Sequence, residues 1–396
     1  MTTANTDIRP FSINVPDEDL ADLRERLDRV RWTSDIPGRG GEAGGAGGKA
    51  GAEDYGVSLA WVQKLAKYWR HEFDWRAAEA RINAYPQFIT EIDGQDIHFL
   101  HVKSREPGAI PLILTHGWPG SVAEYLDVIG PLTDPRAFGR DPSTAFHLVI
   151  PSLPGFGFSA PLRDRGWSTR RTAAAWAGLM RRLGYQRYGA AGNDAGSMIS
   201  PEVGRLDPEH VLAVHVTQVF SFPSGDPAEF EGMSAEDGAA LQKLQWFMDH
   251  KISFNQLHSQ QPQTLAHALA DSPVGLLGWN AQLMTGDAMG DKQLDEDFIL
   301  TNVALYWFTN TSGSAIRFYY EDAHADRSRA AEPTTLPLGV AGFAGEFSGV
   351  RRFAERDHKN LVQWNMHPEP GGHYAAHLEP EVLADDIREY FRRLTA

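Results

Sequence analysis

Residues Gly192-Asn193-Asp194-Ala195-Gly196-Ser197 set an aspartate between two glycines, directly after the strand-like run Arg187-Tyr188-Gly189-Ala190-Ala191. A sharp strand-to-helix turn that presents a nucleophile needs small neighbours, because its backbone is strained and the helix packs close to the strand. Most such turns carry serine, and aspartate changes the chemistry. With an ordinary pKa of about 3.9 it is ionised at neutral pH and can attack as a carboxylate with no base to activate it. The same string also suits an ordinary polar turn, so partners elsewhere in the chain must decide between the two.

Candidate partners follow in order. Glu346 lies beyond a strand-like stretch at 336–340, and His373, in Gly371-Gly372-His373-Tyr374, lies beyond another at 361–366. Nucleophile, acid and histidine in that order at successive strand ends is the chain order of an α/β-hydrolase. Upstream, His116-Gly117-Trp118-Pro119 follows a buried strand and suits a loop whose backbone N–H meets an oxyanion; the N–H of Ala195 is the natural second donor. His373 and His377 are four apart with Glu379 beyond. With no third ligand and no His-Glu-x-x-His string, neither a metal nor another cofactor is expected.

The elements that must hold these residues are legible in outline. Helices are expected after Pro16, with Leu20, Leu23, Leu27 and Val30 at helical spacing, and from Ser58, with Leu59, Val62, Leu65 and Trp69 as the buried stripe. Between them, 38–51 is rich in glycine and alanine. Its Gly47-Gly48-Lys49-Ala50 is superficially similar to a phosphate-binding loop, but Ala43 and Ala50 stand where that loop needs Gly and Ser or Thr, which leaves a flexible surface loop. Strands at 88–92 and 97–102 flank Asp93-Gly94, a hairpin signal. Strands and helices then alternate, as in a mostly parallel sheet with helices on its faces. The reading is an α/β fold: an N-terminal helical meander over 1–90, a core over 91–222 and 323–396, and a helical, aromatic-rich lid inserted over 223–322. Within the lid, Trp246, Phe247, Phe254, Trp279, Trp307 and Phe308 are candidates for an apolar pocket wall or for core.

Bulk properties narrow the partners. The chain has 396 residues and a net charge of -15, with 37 basic against 52 acidic residues, which disfavours nucleic acid. It has no cysteine, which excludes disulfides and thiolate catalysis. Its first ten residues are polar and no stretch is apolar enough to cross a bilayer, so a soluble, cytoplasmic protein without membrane contact is expected.

Together, His116-Gly117-Trp118-Pro119-Gly120-Ser121, the Asp194 turn, Arg317-Phe318-Tyr319-Tyr320-Glu321 and Gly371-Gly372-His373-Tyr374-Ala375-Ala376 resemble the microsomal-type epoxide hydrolases. Arg9-Pro10-Phe11 and Val15-Pro16 resemble that family's N-terminal domain, so the likeness runs nearly end to end. The resemblance implies an α/β-hydrolase that turns an epoxide and water into a vicinal diol. Asp194 is the implied nucleophile, Glu346 and His373 the acid and base, and Tyr319 the proton donor. Trp118 and Ala195 form the implied oxyanion hole, with Trp118 and Gln256 beside the substrate. A homodimer is compatible with it, as is tailoring of natural products such as enediynes by a bacterial member. Two positions depart from the family: Ala195 stands where tryptophan usually follows the nucleophile, and Gln256 is read at the place of a second lid tyrosine. A haloalkane dehalogenase also attacks with aspartate, but Ala195 lacks the indole N–H that would hold a halide. A non-catalytic binding protein on the same scaffold is the alternative outside enzymes.

Overall fold

The computed structural model describes residues 7–34, 56–285, 293–326 and 332–395. The glycine-rich stretch 38–51 lies outside them. Nine strands form one sheet: β1 (Arg9–Phe11), β2 (Gln87–Ile92), β3 (Gln95–Val102), β4 (Ile110–Thr115), β5 (Phe146–Pro151), β6 (Tyr188–Gly192), β7 (Val211–Val216), β8 (Leu338–Phe343) and β9 (Leu361–His367). Their order is β1-β2-β3-β5-β4-β6-β7-β8-β9. From β5 to β9 every pairing is parallel, and β1, β2 and β3 extend one edge in antiparallel register. The fold is that of an α/β-hydrolase with a mostly parallel sheet. The chain steps from β4 to one side for β5 and to the other for β6. This reversal opens a crevice at the carboxyl ends of the central strands, where such sheets bind ligands.

Local chemistry accounts for the elements. Ile92 pairs with Gln95 across a two-residue turn in which Asp93 and Gly94 have φ of 51° and 76°, the positive pair that matches the twist of a hairpin. β6 is buried along its length because helices cover both faces of the parallel sheet. One expectation needs correction: the N-terminal 90 residues are not all helical, because Arg9–Phe11 pairs with β2. Three residues carry no readable period, and Pro10 sits where an edge strand tolerates a missing N–H.

Between β7 and β8 the chain forms the helices Ala235–His250, Ser253–Gln260, Pro262–Asp271, Pro273–Ala281, Glu296–Phe308 and Ser312–Ala323. Ser234, Ser272 and Asp295 cap three of them through backbone N–H bonds, and Pro262 and Pro273 open two, as expected of a residue without an N–H. The N-terminal helices Asp17–Asp28, Leu59–His71 and Trp75–Asn83 pack against this layer. Arg26 reaches the carbonyl of Asp271 at 3.0 Å, and Trp75 packs on Phe308 with ring centres 4.8 Å apart. Among the described residues no helix is long and apolar enough to cross a membrane.

Candidate active site

Asp194 stands between the end of β6 and the helix Ala195–Leu206 with φ 52° and ψ −120°. A non-glycine residue there is strained, and such strain persists only where neighbours over-determine it. They do so here: the Asp194 N–H donates to Gln218 Oε1 at 3.0 Å, and the Asp194 carbonyl accepts from Ser197 N at 2.9 Å. The bracketing glycine is a packing requirement, since a Cβ on Gly196 would lie 1.8 Å from the carbonyl oxygen of Thr115 in β4. The turn is therefore the strained elbow expected from its sequence.

The loop after β4 meets the carboxylate. The Trp118 N–H donates to Asp194 Oδ1 at 2.9 Å, and the Ala195 N–H is a second backbone donor to the same side chain. Gly117 allows the approach, because a Cβ there would come within 2.0 Å of Asp194 Oδ1. Burial pushes the Asp194 carboxyl up from its ordinary pKa, while His373 and the two backbone donors pull it back toward the ionised form. This side chain sits at a site with donors placed to bind negative charge.

Beyond β8 and β9 the remaining partners converge. His373 Nδ1–H donates to Glu346 Oε2 at 2.8 Å, and Glu346 Oε1 accepts from the Phe347 N–H at 2.8 Å. The Lys243 ammonium holds the Glu346 carbonyl. Burial lowers the His373 pKa, but the charges of Glu346, Asp194 and Glu124 outweigh it and raise the imidazole to about 9. Glu124 was not singled out from the sequence. It is a buried acid between apolar Ala123 and Tyr125, pushed by burial up to about 7. Asn193 Nδ2 donates both to Glu124 Oε1 at 2.9 Å and to the His373 carbonyl at 2.8 Å, which ties the elbow to the histidine loop. Glu124 Oε2 has no hydrogen-bond partner among the described residues. His377 lies elsewhere, between Asp127 at 2.7 Å and Asp295 at 2.8 Å.

The inserted helices cover this centre. Tyr319, on Ser312–Ala323, stands edge-on to Trp118 with ring centres 6.2 Å apart. Burial and then the charge of Asp194 raise its pKa well above the ordinary phenol value. Gln256 does not join it. On Ser253–Gln260 that side chain is exposed, and Phe254 and His258, one helical turn apart, face inward instead. Phe254 stacks on Trp118 at 5.3 Å and meets Tyr319 edge-on at 6.0 Å; His258 lies 5.0 Å from Tyr319. A two-residue misplacement rotates a helical side chain by roughly 200°, enough to send it to solvent. The lid aromatics divide as well: Trp279 donates to His258, whereas Phe308 packs on Trp75 and Trp307 lies under Arg26.

The description "Epoxide hydrolase N terminus" matches residues 8–125, and "alpha/beta hydrolase fold" matches residues 110–266. A Stigmatella aurantiaca protein named as an epoxide hydrolase is 41% identical, across 98% of this chain and 86% of that protein. Epoxide hydrolase 1 of Oryctolagus cuniculus is 31% identical, across 97% and 88%. The chain belongs to the epoxide hydrolase family. Among solved structures, juvenile hormone epoxide hydrolase from Bombyx mori superposes with a TM-score of 0.87 at 25% identity, covering 99% of this chain and 96% of the other. Aspergillus niger epoxide hydrolase gives 0.84 at 29% identity, covering 99% and 98%. As in other members of the epoxide hydrolase family, the protein is a hydrolase of the α/β fold that acts on small-molecule epoxides with water.

Proposed function

We propose that this enzyme opens an apolar, bulky aryl or alkyl epoxide through a covalent ester on Asp194. The observation that carries the reading is the strained elbow, whose carboxylate is held by the Trp118 N–H beside the His373–Glu346 pair. Asp194 Oδ bonds to one epoxide carbon as that carbon's bond to oxygen breaks. The electron pair stays on the oxygen, and Tyr319 gives it a proton. A phenol suits this step because it is neutral at pH 7 and still more acidic than an alkoxide's conjugate acid.

Alkylation then changes the electrostatics. Ester formation removes the Asp194 charge, one of those that hold the His373 proton. The imidazole pKa therefore falls, its proton passes to solvent, and the neutral ring that can act as a base is present once an ester exists. His373 takes a proton from water, hydroxide adds to the ester carbonyl, and the developing oxyanion meets the N–H groups of Trp118 and Ala195. Glu346 fixes the imidazole with Nδ1–H toward itself and stabilises its charge. Collapse expels the alkoxide, which takes the proton held by His373 and leaves as the diol. The proton of the acid formed on Asp194 returns to the Tyr319 phenolate, so the carboxylate and the phenol are both restored. The helices between β7 and β8 act as the lid, and the N-terminal helices packed on them as its brace.

Ala195 favours this reading over halide displacement, since it has no side-chain donor for a departing halide. Incubation with styrene oxide and, separately, 1-bromobutane tests it: diol from the first and no bromide from the second is expected, and the reverse would overturn it. A single turnover in heavy-oxygen water should place the label in Asp194. Label found only in the diol would mean direct hydration.

A further inference from the structure

We propose that the Nδ1–H of His258 is a second hydrogen-bond donor to the epoxide oxygen, beside the Tyr319 hydroxyl. The tautomer follows from its neighbour. An indole N–H can only donate, and Trp279 Nε1 lies 2.9 Å from His258 Nε2, so Nε2 is the acceptor. Burial lowers the His258 pKa to about 3, which keeps the ring neutral, and a neutral imidazole whose Nε2 accepts carries its proton on Nδ1.

That donor has no partner among the described residues, although the residue is fully buried. Other buried histidines are satisfied. His98 uses both nitrogens, at 2.9 Å to Ser152 and 2.9 Å to Gln87, and His116 engages the Gly117 carbonyl and the Leu153 N–H. A buried donor without an acceptor is unfavourable unless something else supplies one. The His258 ring packs 4.7 Å from Trp118, whose backbone holds the Asp194 carboxylate, and 5.0 Å from Tyr319. An oxygen between nucleophile and phenol is the acceptor this placement fits. Phe254, the other inward residue of the helix, has no donor to offer.

Roles within the pair are distinct. A neutral imidazole N–H is a far weaker acid than a phenol, so Tyr319 transfers the proton and His258 keeps its own. His258 stabilises the negative charge that grows on oxygen as the carbon–oxygen bond breaks, which affects ester formation and not ester hydrolysis.

The inference rests on the epoxide hydrolase reading, and its test separates the two. Nitrogen NMR of the wild-type protein should show His258 protonated at Nδ1 and bare at Nε2, with the Nδ1–H signal moving when phenylacetamide is added as an unreactive carbonyl probe. In single turnovers of styrene oxide, His258→Phe should slow ester formation by about 10²-fold and leave ester hydrolysis unchanged. His258→Gln, which can accept from Trp279 and still donate, should recover most of the loss. An Nε2-protonated tautomer, or a folded His258→Phe that forms ester at the wild-type rate, would overturn the proposal; if that variant does not fold, the wild-type NMR decides. Absence of diol from the wild type would instead sink the epoxide hydrolase reading itself.

Discussion

Two buried clusters in this molecule pair carboxylates with histidine, and they behave oppositely. Asp386, on the C-terminal helix Pro380–Thr395, accepts from His215 at 2.7 Å and Gln363 at 2.7 Å on one oxygen, and from Asn365 at 2.6 Å and His367 at 2.8 Å on the other. Burial alone would raise its pKa, yet these donors hold it well below the usual carboxylate range. Around the elbow, burial prevails: Asp194 and Glu124 are pushed up, and Glu124 keeps one oxygen unpartnered among the described residues. The first cluster bonds strands β7 and β9 to a helix and has its lone pairs filled. The second lies off the strand ends with bonding capacity left over. A histidine beside a carboxylate therefore says little about chemistry until the remaining donors are counted.

Substitution should expose that difference most strongly at Asp194. Asp194→Ala is expected to reduce diol formation on the order of 10⁴-fold or more, with a melting temperature no lower than wild type, because a desolvated charge is removed. Turnover above about 1% of wild type would contradict its role. Next in size, His373→Ala should slow ester hydrolysis by about 10²- to 10⁴-fold and leave the adduct visible as a mass gain of the intact protein after epoxide is added. Without that adduct, the two-step scheme does not hold.

Both outcomes concern residues readable in the sequence, for a physical reason. Strain and close packing at the elbow impose glycines that any reader of the chain can see, and Glu346 and His373 follow in a fixed order at successive strand ends. What escaped depends on helix phase and strand adjacency. Gln256 was two positions from Phe254 and His258, and only the observed start of the helix at Ser253 fixes which face turns inward. Glu124 reaches the elbow because β4 lies beside β6, a long-range pairing in which Leu112 meets Gly189 and Thr115 meets Gly192. Arg9–Phe11 is too short to show alternation.

The Asp386 cluster should respond in stability and not in rate. Asp386→Ala leaves four donors facing a cavity and is expected to lose roughly 3–5 kcal/mol, read from urea midpoints, with diol formation per folded molecule unchanged. Its pH dependence has a definite sign. Asp386 is depressed when folded, so its contribution is present above the ordinary carboxylate value of about 3.9 and disappears as pH falls through the folded value. His367 is raised by Asp386, so its contribution is present below about 6.5 and disappears as pH rises through its folded value. The gap between wild type and variant should be widest between those limits. A large loss of turnover at unchanged stability would erase the distinction between the clusters.

The smallest expected effect tests the unsatisfied acid. Glu124→Gln is isosteric, keeps an acceptor for Asn193 Nδ2, and removes a negative charge that raises His373. With that charge gone the imidazole pKa falls, so neutral His373 is present at lower pH and the rise of ester hydrolysis with pH shifts downward. The shift should be under one unit, a change of less than about tenfold at any single pH. Burial pushes Glu124 up to about 7, so wild type and variant should converge at low pH, where the wild-type side chain is already neutral, and separate as pH rises above that value. Ester formation, followed in the same single-turnover traces, should not change. Coincident profiles above pH 7, or a shift upward, would mean that Glu124 does not act on His373 through its charge and belongs with Asp386 as a structural acid.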